Sequence, residues 1–359
     1  MKNTFLLSRL TAFLALVLPP FVLLAAGVLE AAGTLDIYFI DVEGGQATLL
    51  VTPSGEAMMI DVGNAGLDSQ NPDKEVARDA NRIAVAAKAA GIKRIDAGII
   101  THFHGDHFGG SLHLTERIPV GTFYDHGLPV QDAPALKQKA GSYAELYTAA
   151  IAKGQHKVVV PGDKIPMEDL QVTILSSAAK AIANTGPANP YCEGLVPQPV
   201  TSAPEDAQSM AVLVEFGQFR FVVFESGVFN RHLEVLCPNN PIGQIDVLEA
   251  PSHGGNVPMK AWNAVAPRVA IASNGPRRGG GPNVLNGYRA LQGFEDLWFL
   301  HFNIAAAVEG NPPEQFIANM DAEKDMAHYI KLSAMPDGSF TVYNTRTNFS
   351  KSYPAKKKP

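Results

Sequence analysis

The sequence has few cysteines, few aromatic residues and no excess of positive charge. Only two cysteines, Cys192 and Cys237, occur among 359 residues, and they do not form a CxxC motif. Aromatic residues make up 8% of the chain, and 29 basic residues stand against 35 acidic ones, which gives a formal net charge of −6. These counts argue against a cysteine-based metal site and against broad, nonspecific binding of nucleic acid. A local basic patch is still compatible with them.

The remaining composition is that of one large globular body. Hydrophobic residues make up 46% of the chain, which is enough for a sizeable core. No internal repeat of fixed period is visible. We expect one domain over residues 33–350, followed at 351–359 by a basic, disordered tail that ends in three lysines and a proline.

The first 32 residues look like an export segment rather than part of the fold. Lys2 and Arg9 precede an apolar run over 10–29, and small residues follow towards its end. The run is also long enough to be an uncleaved membrane anchor, although Pro19 and Pro20 would interrupt such a helix. Either alternative predicts an exported, periplasmic or secreted protein. Export would permit a disulfide between the two cysteines, and two free thiols are nearly as compatible.

A dense cluster of metal-ligand residues follows a predicted strand. Residues 102–107 contain three imidazoles and one carboxylate, from His102, His104, Asp106 and His107. His102 and His104 are two residues apart at the strand end, so their side chains point the same way and can share one ion. Asp106 and His107 lie on the following turn and can take a second ion. The alternative is a histidine-rich surface loop, which seldom combines four such residues in this order.

The spacing of apolar residues predicts alternating strands and helices. Strands of a first sheet are predicted at 35–41, 46–52, 57–61 and 95–100. Helices are predicted at 76–90 and 143–153. Strands of a second sheet are predicted at 157–160, 172–175, 210–216 and 220–224. The segment 184–204, rich in proline, glycine and asparagine, is predicted to be a long loop, either a lid or a plain surface excursion.

The cluster at 102–107 resembles the signature of the metallo-β-lactamase superfamily, H-x-H-x-D-H, which it matches letter for letter. Upstream, residues 35–50 and 58–63 look like the first strands of that fold. The sequence Asp-Val-x-x-Gly-Gln-Ala at 41–47 most resembles the soluble domain of competence proteins involved in DNA uptake, and the secreted relatives of that domain. The resemblance covers roughly residues 34–310.

The resemblance implies an α/β fold with four αββα layers, the metallo-β-lactamase fold. The metal ligands that it implies are His102, His104, Asp106, His107 and His253. His253 follows the predicted strand 245–248, and a plain histidine in a glycine-rich turn is the alternative. Asp106 is also the expected catalytic residue, because it could orient the attacking water and receive its proton. Asp61 is expected to support the ligands from behind.

Two positions depart from the family pattern. Ser226 stands where the superfamily usually has a bridging aspartate, and Glu225, one residue earlier, would face the opposite side of a regular strand. A bulge would bring Glu225 back towards the site. The third histidine of the first metal is also absent, as in the competence-type branch, and Asp206 or a water would fill its position. One anionic ligand fewer should weaken the binding of at least one ion.

Three further features carry smaller expectations. His126 follows a predicted strand and either contacts substrate or metal or makes a structural hydrogen bond. The segment 274–282 contains two arginines among glycines and prolines, and either binds an anion or is a plain surface loop. His301 is expected at the edge of the core.

These features predict a metal-dependent hydrolase that uses a metal-activated water. Zinc is the expected cofactor, as one or two ions, with manganese or iron as substitutes. The expected substrate is a phosphodiester or another small molecule, with lactones, thioesters and β-lactams left open. No stable nucleic-acid complex is expected, and the membrane is involved only through an uncleaved N-terminal segment. The alternative is a degenerate, exported binding protein of the same fold with an impaired metal site.

Overall fold

The computed structural model describes most of the chain after the predicted export segment. The described residues are 33–65, 77–130, 143–198, 204–225, 228–255, 257–321 and 327–356. The segment 1–32 lies outside them, so the choice between signal peptide and anchor stays a prediction. Within the described ranges, no helix is both long and apolar enough to cross a membrane.

Short strands and helices alternate along the chain. The strands are β1 Leu35–Ile40, β2 Thr48–Val51, β3 Ala57–Ile60, β4 Ile95–Ile99, β5 Val120–Asp125, β6 Gln155–Val158, β7 Lys164–Met167, β8 Leu170–Ser177, β9 Lys180–Ala181, β10 Ala211–Phe216, β11 Phe219–Phe224, β12 Val247–Glu249, β13 Val269–Ala272, β14 Asp296–His301, β15 Ile317–Asn319, β16 Tyr329–Ala334, β17 Phe340–Asn344 and β18 Phe349–Tyr353. The helices are α1 Arg78–Ala89, α2 Gly105–Phe108, α3 Ser111–Thr115, α4 Ala149–Ile151, α5 Phe229–Leu236, α6 Pro251–Gly254, α7 Met259–Trp262 and α8 Pro282–Arg289. A π-helical turn at Tyr143–Thr148 leads into α4, and 3-10 turns occur at Pro190–Cys192, Asp206–Gln208, Val308–Gly310 and Glu314–Phe316.

The strands form two mixed sheets, each of nine strands within the described part of the chain. The first sheet has the order β18-β17-β16-β1-β2-β3-β4-β5-β6, and the second has the order β15-β14-β13-β12-β11-β10-β8-β7 with β9 paired to β8. Strands β3 to β6 run parallel in the first sheet, and β11 to β15 run parallel in the second. Each sheet therefore combines a parallel part with an antiparallel part.

The two sheets pack face to face, with helices on both outer faces. Strand β1 shows why, because its side chains alternate between two apolar cores. Leu35, Ile37 and Phe39 lie in the core between the sheets, and Tyr38 and Ile40 lie in the core beneath α1 and α3. A third core packs α5, α7 and α8 against the second sheet. The result is the expected four-layer αββα sandwich.

The parallel strands of both sheets deliver polar residues at their carboxyl ends. The loop after β4 carries His102 to His107, and Asp61 directly follows β3. In the second sheet, His253 follows β12 and Arg278 follows β13. Ligand sites of α/β proteins are commonly found at these strand ends, and the candidate site lies there too.

One predicted sheet assignment and one predicted boundary are wrong. The predicted strand 157–160 is β6, which pairs with β5 in the first sheet and not with the second. All four of its residues are exposed, so it has no buried face that could have indicated a sheet. The predicted tail 351–359 begins too early, because β18 continues to Tyr353 and pairs with β17. Lys351 and the Tyr353 hydroxyl both bind Asp296, which holds this end of the chain in place.

The described part of the 184–204 loop is attached to the helices α5 and α7, which pack on the second sheet. A disulfide joins Cys192 to Cys237, which resolves the alternative of two free thiols. Asn189 is buried and its amide donates to the Leu236 and Ala261 carbonyls. Four residues of this loop line a cavity at the amino ends of the strands, opposite the His102 loop: Pro187, Ala188, Pro190 and Tyr191. This part of the loop is therefore not a lid over the candidate site.

Candidate metal centre

The first ligand group consists of His102, His104 and Asp206. His102 Nε2 lies 3.1 Å from His104 Nδ1 and 3.5 Å from Asp206 Oδ1, and His104 Nδ1 lies 3.3 Å from the same oxygen. The two histidines come from the loop after β4. Asp206 comes from a 3-10 turn about a hundred residues later, so tertiary structure alone brings it to this place.

The protonation of His102 follows from its neighbours. Asp61 Oδ2 accepts the Thr101 hydroxyl proton at 2.6 Å, because a carboxylate can only accept. The hydroxyl oxygen is then the acceptor for His102 Nδ1, 3.2 Å away. His102 therefore carries its proton on Nδ1, and its Nε2 lone pair faces His104 and Asp206. This is the tautomer that a metal ligand requires.

The second ligand group consists of Asp106, His107 and His253. Asp106 Oδ2 lies 3.6 Å from His107 Nε2 and 3.5 Å from His253 Nε2. His107 Nδ1 donates to Asp61 Oδ2 at 2.7 Å, and His253 Nδ1 donates to the Ser273 carbonyl at 3.2 Å. Both Nε2 atoms therefore point towards Asp106.

Backbone geometry around these loops is unusually constrained. A Cβ at Gly110 would lie 2.1 Å from the Val62 carbonyl oxygen, so only glycine lets the His102 loop pack this closely against the end of β3. His253 has a φ of 56°, a left-handed conformation that is costly for a histidine. Gly279 has a φ of 73°, and a Cβ there would lie 1.8 Å from the His253 carbonyl oxygen. Such strain is most often kept where it positions a functional side chain.

The spacing of the donor atoms in both groups fits a metal ion. Four ligands at about 2.1 Å in a tetrahedral arrangement lie about 3.4 Å from one another. The separations in the first group are 3.1, 3.3 and 3.5 Å, and those to Asp106 in the second group are 3.5 and 3.6 Å. Each group offers three donors, and a water or a substrate atom would be the fourth ligand. The residues present therefore fit one ion in each group.

The charges of the site also suit a cation. Burial lowers the pKa of His102 well below its usual value, and burial together with the charge of His107 lowers the pKa of His253 to about 3. Burial opposes the charge of His107, but the Asp106 and Asp61 carboxylates raise its pKa to about 9. Burial also opposes ionisation of Asp106, yet His107, His253 and Arg278 hold its pKa below its usual range. Without an ion, His102 and His253 are therefore neutral, while His107 is protonated beside the ionised Asp106, and an ion that binds the second group would replace the His107 proton.

The position of the usual bridging aspartate is only partly visible, because Ser226 lies outside the described residues. Glu225 is fully buried, and neither of its carboxyl oxygens has a hydrogen-bond partner among the described residues. Burial raises its pKa well above its usual value, while the charge of His107 acts in the other direction. Glu225 belongs to neither ligand group. Glu225 is nevertheless a buried acid without a hydrogen-bond partner among the described residues. A nearby cation would stabilise its ionised form.

A buried glutamate connects the two parts of the first ligand group. Glu205 accepts hydrogen bonds from the Phe103 backbone N–H at 2.8 Å, from His126 Nε2 at 2.9 Å and from the Val130 N–H at 3.1 Å. Phe103 lies between the two histidines in sequence, and Glu205 directly precedes Asp206. His126 therefore takes the structural role rather than a ligand role. In the sequence, Glu205 is marked only as one of an acidic pair before a buried strand, a signal too weak to predict this role.

Arg278 reaches the second ligand group from the glycine-rich segment 274–282. Its Nη1 donates to Asp106 Oδ2 and, at 2.9 Å, to the Gly44 carbonyl. The Arg278 side chain is 51% exposed.

His301 is buried, and its Nδ1 donates to the Phe302 carbonyl at 2.9 Å. This is the expected position at the edge of the core.

Residues 40–186 match the family model of the metallo-beta-lactamase superfamily. Among solved structures, the metallo-beta-lactamase fold protein YhfI from Bacillus subtilis is 12% identical, with 74% of this chain and 95% of that chain covered and a TM-score of 0.40. Tm1679, a metal-dependent hydrolase of the beta-lactamase superfamily, is 15% identical over the same shares, 74% and 95%, with a TM-score of 0.44. A Cronobacter sakazakii metallo-beta-lactamase with a HARLDQ motif is 12% identical over 60% and 77%, with a TM-score of 0.39.

No curated protein matches the chain. The family-model match includes strands β2 to β6 and the whole His102 loop. Residues 40–186 are therefore similar to the metallo-beta-lactamase superfamily, and the two packed sheets with outer helices are the metallo-beta-lactamase fold.

Proposed function

We propose that this chain is a metal-dependent hydrolase with zinc as the preferred ion and phosphodiesters as the favoured substrate class. Members of the metallo-beta-lactamase superfamily are usually hydrolases. The observation that supports the proposal most is the pair of adjacent ligand groups, whose donor atoms lie at metal-ligand spacing. Four of the six donors are imidazoles, a set that suits zinc, with manganese or iron as substitutes.

The residues around the ligands have different roles in the proposed reaction. A bound ion would act as a Lewis acid that activates water and stabilises developing negative charge. Asp61 orients the rings of His102 and His107, in the first case through Thr101, and the Ser273 carbonyl orients His253. Asp106 orients the attacking water. Because its pKa is held low, it is a weak base, and orientation is its main contribution.

The preference for phosphodiesters has two supports. The sequence at 41–47 resembles that of competence-type domains, and the half-exposed Arg278 guanidinium can bind an anionic oxygen. The net charge of −6 argues for a small or transiently bound substrate rather than a stable nucleic-acid complex. Lactones, thioesters and β-lactams are the other classes to be tested.

The proposal is tested with protein that is stripped by a chelator and reloaded with zinc, manganese or iron. Metal content is measured by elemental mass spectrometry, and hydrolysis is assayed with bis(p-nitrophenyl) phosphate, an aryl ester, a lactone, a thioester and a chromogenic β-lactam. Metal-dependent phosphodiester hydrolysis that His104→Ala abolishes would support the proposal. Metal-dependent hydrolysis of another substrate class would change only the proposed substrate and not the proposed type of reaction. A bound ion without any turnover would favour the non-catalytic binding protein, and absence of any ion would refute the hydrolase.

We also propose that the protein is exported to the periplasm or secreted. The apolar N-terminal run and the Cys192–Cys237 disulfide support this, because disulfides persist in oxidising compartments. Fractionation of expressing cells, with the mass of the mature N-terminus, tests export and cleavage together. A full-length protein in the cytoplasmic fraction would contradict the proposal.

A further inference from the structure

Arg278 is placed so that it competes with a metal ion for one carboxylate oxygen. Asp106 Oδ2 is the oxygen that faces both His107 Nε2 and His253 Nε2. The same oxygen accepts a hydrogen bond from Arg278 Nη1. A guanidinium is always charged and cannot act as a ligand. Any ion at the second ligand group must therefore share its carboxylate oxygen with a fixed positive charge.

The position of Arg278 is held by both sheets. Its Nη1 also donates to the Gly44 carbonyl in the loop after β1, at 2.9 Å. A Cβ at Gly44 would lie 3.2 Å from Arg278 Cβ and 3.3 Å from its Cδ, so the side chain packs directly on this glycine. The Gly275 N–H donates to the Arg278 carbonyl at 2.9 Å, which closes the loop that carries it. The guanidinium is thus a built part of the site.

The first ligand group has a different environment. Asp206 Oδ1 faces the His102 and His104 rings, and Arg278 acts on Asp206 through its charge at a distance, whereas it hydrogen-bonds Asp106 directly. Two cations near one carboxylate repel each other at short range, and this repulsion is little screened in a partly buried site. The two groups should therefore bind a divalent ion with unequal affinity.

We propose that Arg278 takes the place of a second metal ion, so that the chain binds one ion tightly at His102, His104 and Asp206 and a second only weakly. This inference rests on the proposed metal-dependent function. It assigns the tightly bound ion to the first ligand group. The guanidinium neutralises Asp106, as a second ion would. Its exposed half faces the solvent from which an anionic substrate arrives.

The test is a zinc titration in competition with a chromophoric chelator, with stoichiometry confirmed by elemental mass spectrometry. The wild-type chain should bind one ion tightly. It should bind a second ion with an affinity that is lower than that of the first by roughly tenfold or more. Arg278→Gln should tighten the second ion by roughly tenfold or more. Arg278→Lys keeps the charge and should stay close to the wild type. Arg277→Gln, an exposed arginine on the same loop, is the matched control and should change nothing.

A double variant identifies the group that responds. His104→Ala alone should lose the tight ion, and His104→Ala with Arg278→Gln should recover one ion, held by the second ligand group. If Arg278→Gln leaves the second affinity unchanged, or if the wild type binds two ions equally well, the inference is wrong and the proposed function stands. If none of the variants nor the wild type binds zinc, the proposed function fails and this inference fails with it.

Discussion

The two ligand groups lie side by side but are built differently. In the first group, the side chains of His104 and Asp206 are each 26% exposed, and Asp206 is held in place through the neighbouring Glu205. In the second group, the side chains of His107 and His253 are 1% and 3% exposed, and each ring donates to a fixed oxygen behind it. Arg278 contacts only the second group.

From this difference we expect that the ligand signature does not by itself set the affinity of a site for its ion. The signature residues are divided between the two groups, His102 and His104 in one and Asp106 and His107 in the other. The second group is better oriented, yet it contains a competing cation. The first group is more open, and its carboxylate comes from a distant loop. We therefore expect the surroundings of the ligands to decide the affinity of each group.

Removing a ligand of the first group should have the largest effect. His104→Ala should abolish tight metal binding and lower turnover by about a thousandfold, because Lewis-acid stabilisation is worth several kcal/mol. Metal content and turnover are measured on the same preparation. His113→Ala, a histidine that contacts Glu116 outside the site, is the control. Full metal content in His104→Ala would show that the first group is not the site.

The support behind the second group should give the apoprotein a pH-dependent stability. Glu249 accepts hydrogen bonds from Thr48 and from Ser273, whose carbonyl holds His253. Burial raises the pKa of Glu249 to about 7. Because the folded-state pKa is raised, its stabilising contribution is complete below the unfolded-state pKa and is lost as pH rises through about 7.

Glu249→Gln should remove that loss. At pH 8 the variant should be more stable than the wild type by on the order of 3 kcal/mol, and the difference should shrink towards pH 4. Urea unfolding of the metal-free proteins across this pH range measures it. A wild type whose stability rises with pH over the same range, in parallel with the variant, would contradict the assignment to Glu249.

Asp61 supports both ligand groups, so its replacement should have an intermediate effect on metal binding. Asp61→Asn weakens the hold on His107 and, through Thr101, on His102, so it should reduce zinc affinity by about 10-fold to 100-fold. The measurement is the chelator competition described above. Asp337→Asn, in an exposed turn between β16 and β17, is the control. An effect on one ion alone would show that the two groups do not share this support.

Glu205 supports the first ligand group alone, so its replacement should have the smallest effect on metal binding. Glu205→Gln keeps the size of the side chain but removes the charge that accepts three N–H groups, and should weaken the tight ion by about tenfold. In the background of Arg278→Gln, the second ion should be unaffected. Equal weakening of both ions would indicate a general loss of structure instead of a role in positioning Asp206.

The sequence predicted most of the fold and part of the site. The strands before the His102 loop and the helix α1 were placed within a few residues, because their apolar spacing is regular. The assignment of residues 157–160 to the second sheet failed, because β6 is an exposed edge strand whose pattern carries no information about its neighbours. The early start of the tail failed for a similar reason, since β18 is also an edge strand.

By itself, the sequence determined the identity and local spacing of the candidate ligands. Three imidazoles and a carboxylate within six residues are fixed by chain geometry, because a strand end and one tight turn bring them together locally. His253 followed from its place after a buried strand. These residues need no distant contact to be recognised as a candidate ion site.

Only the tertiary structure decided which distant residues join those ligands and what surrounds them. Asp206 joins His102 and His104 because the segment before β10 pairs with the His102 loop, through Met210 N–H and the Thr101 carbonyl at 2.9 Å. Arg278 meets Asp106 because the carboxyl ends of both sheets converge at one edge. Neither contact leaves a periodic signal in the chain, since each joins loops that are far apart in sequence. The physical reason is that loop positions are set by the packing of the sheets beneath them.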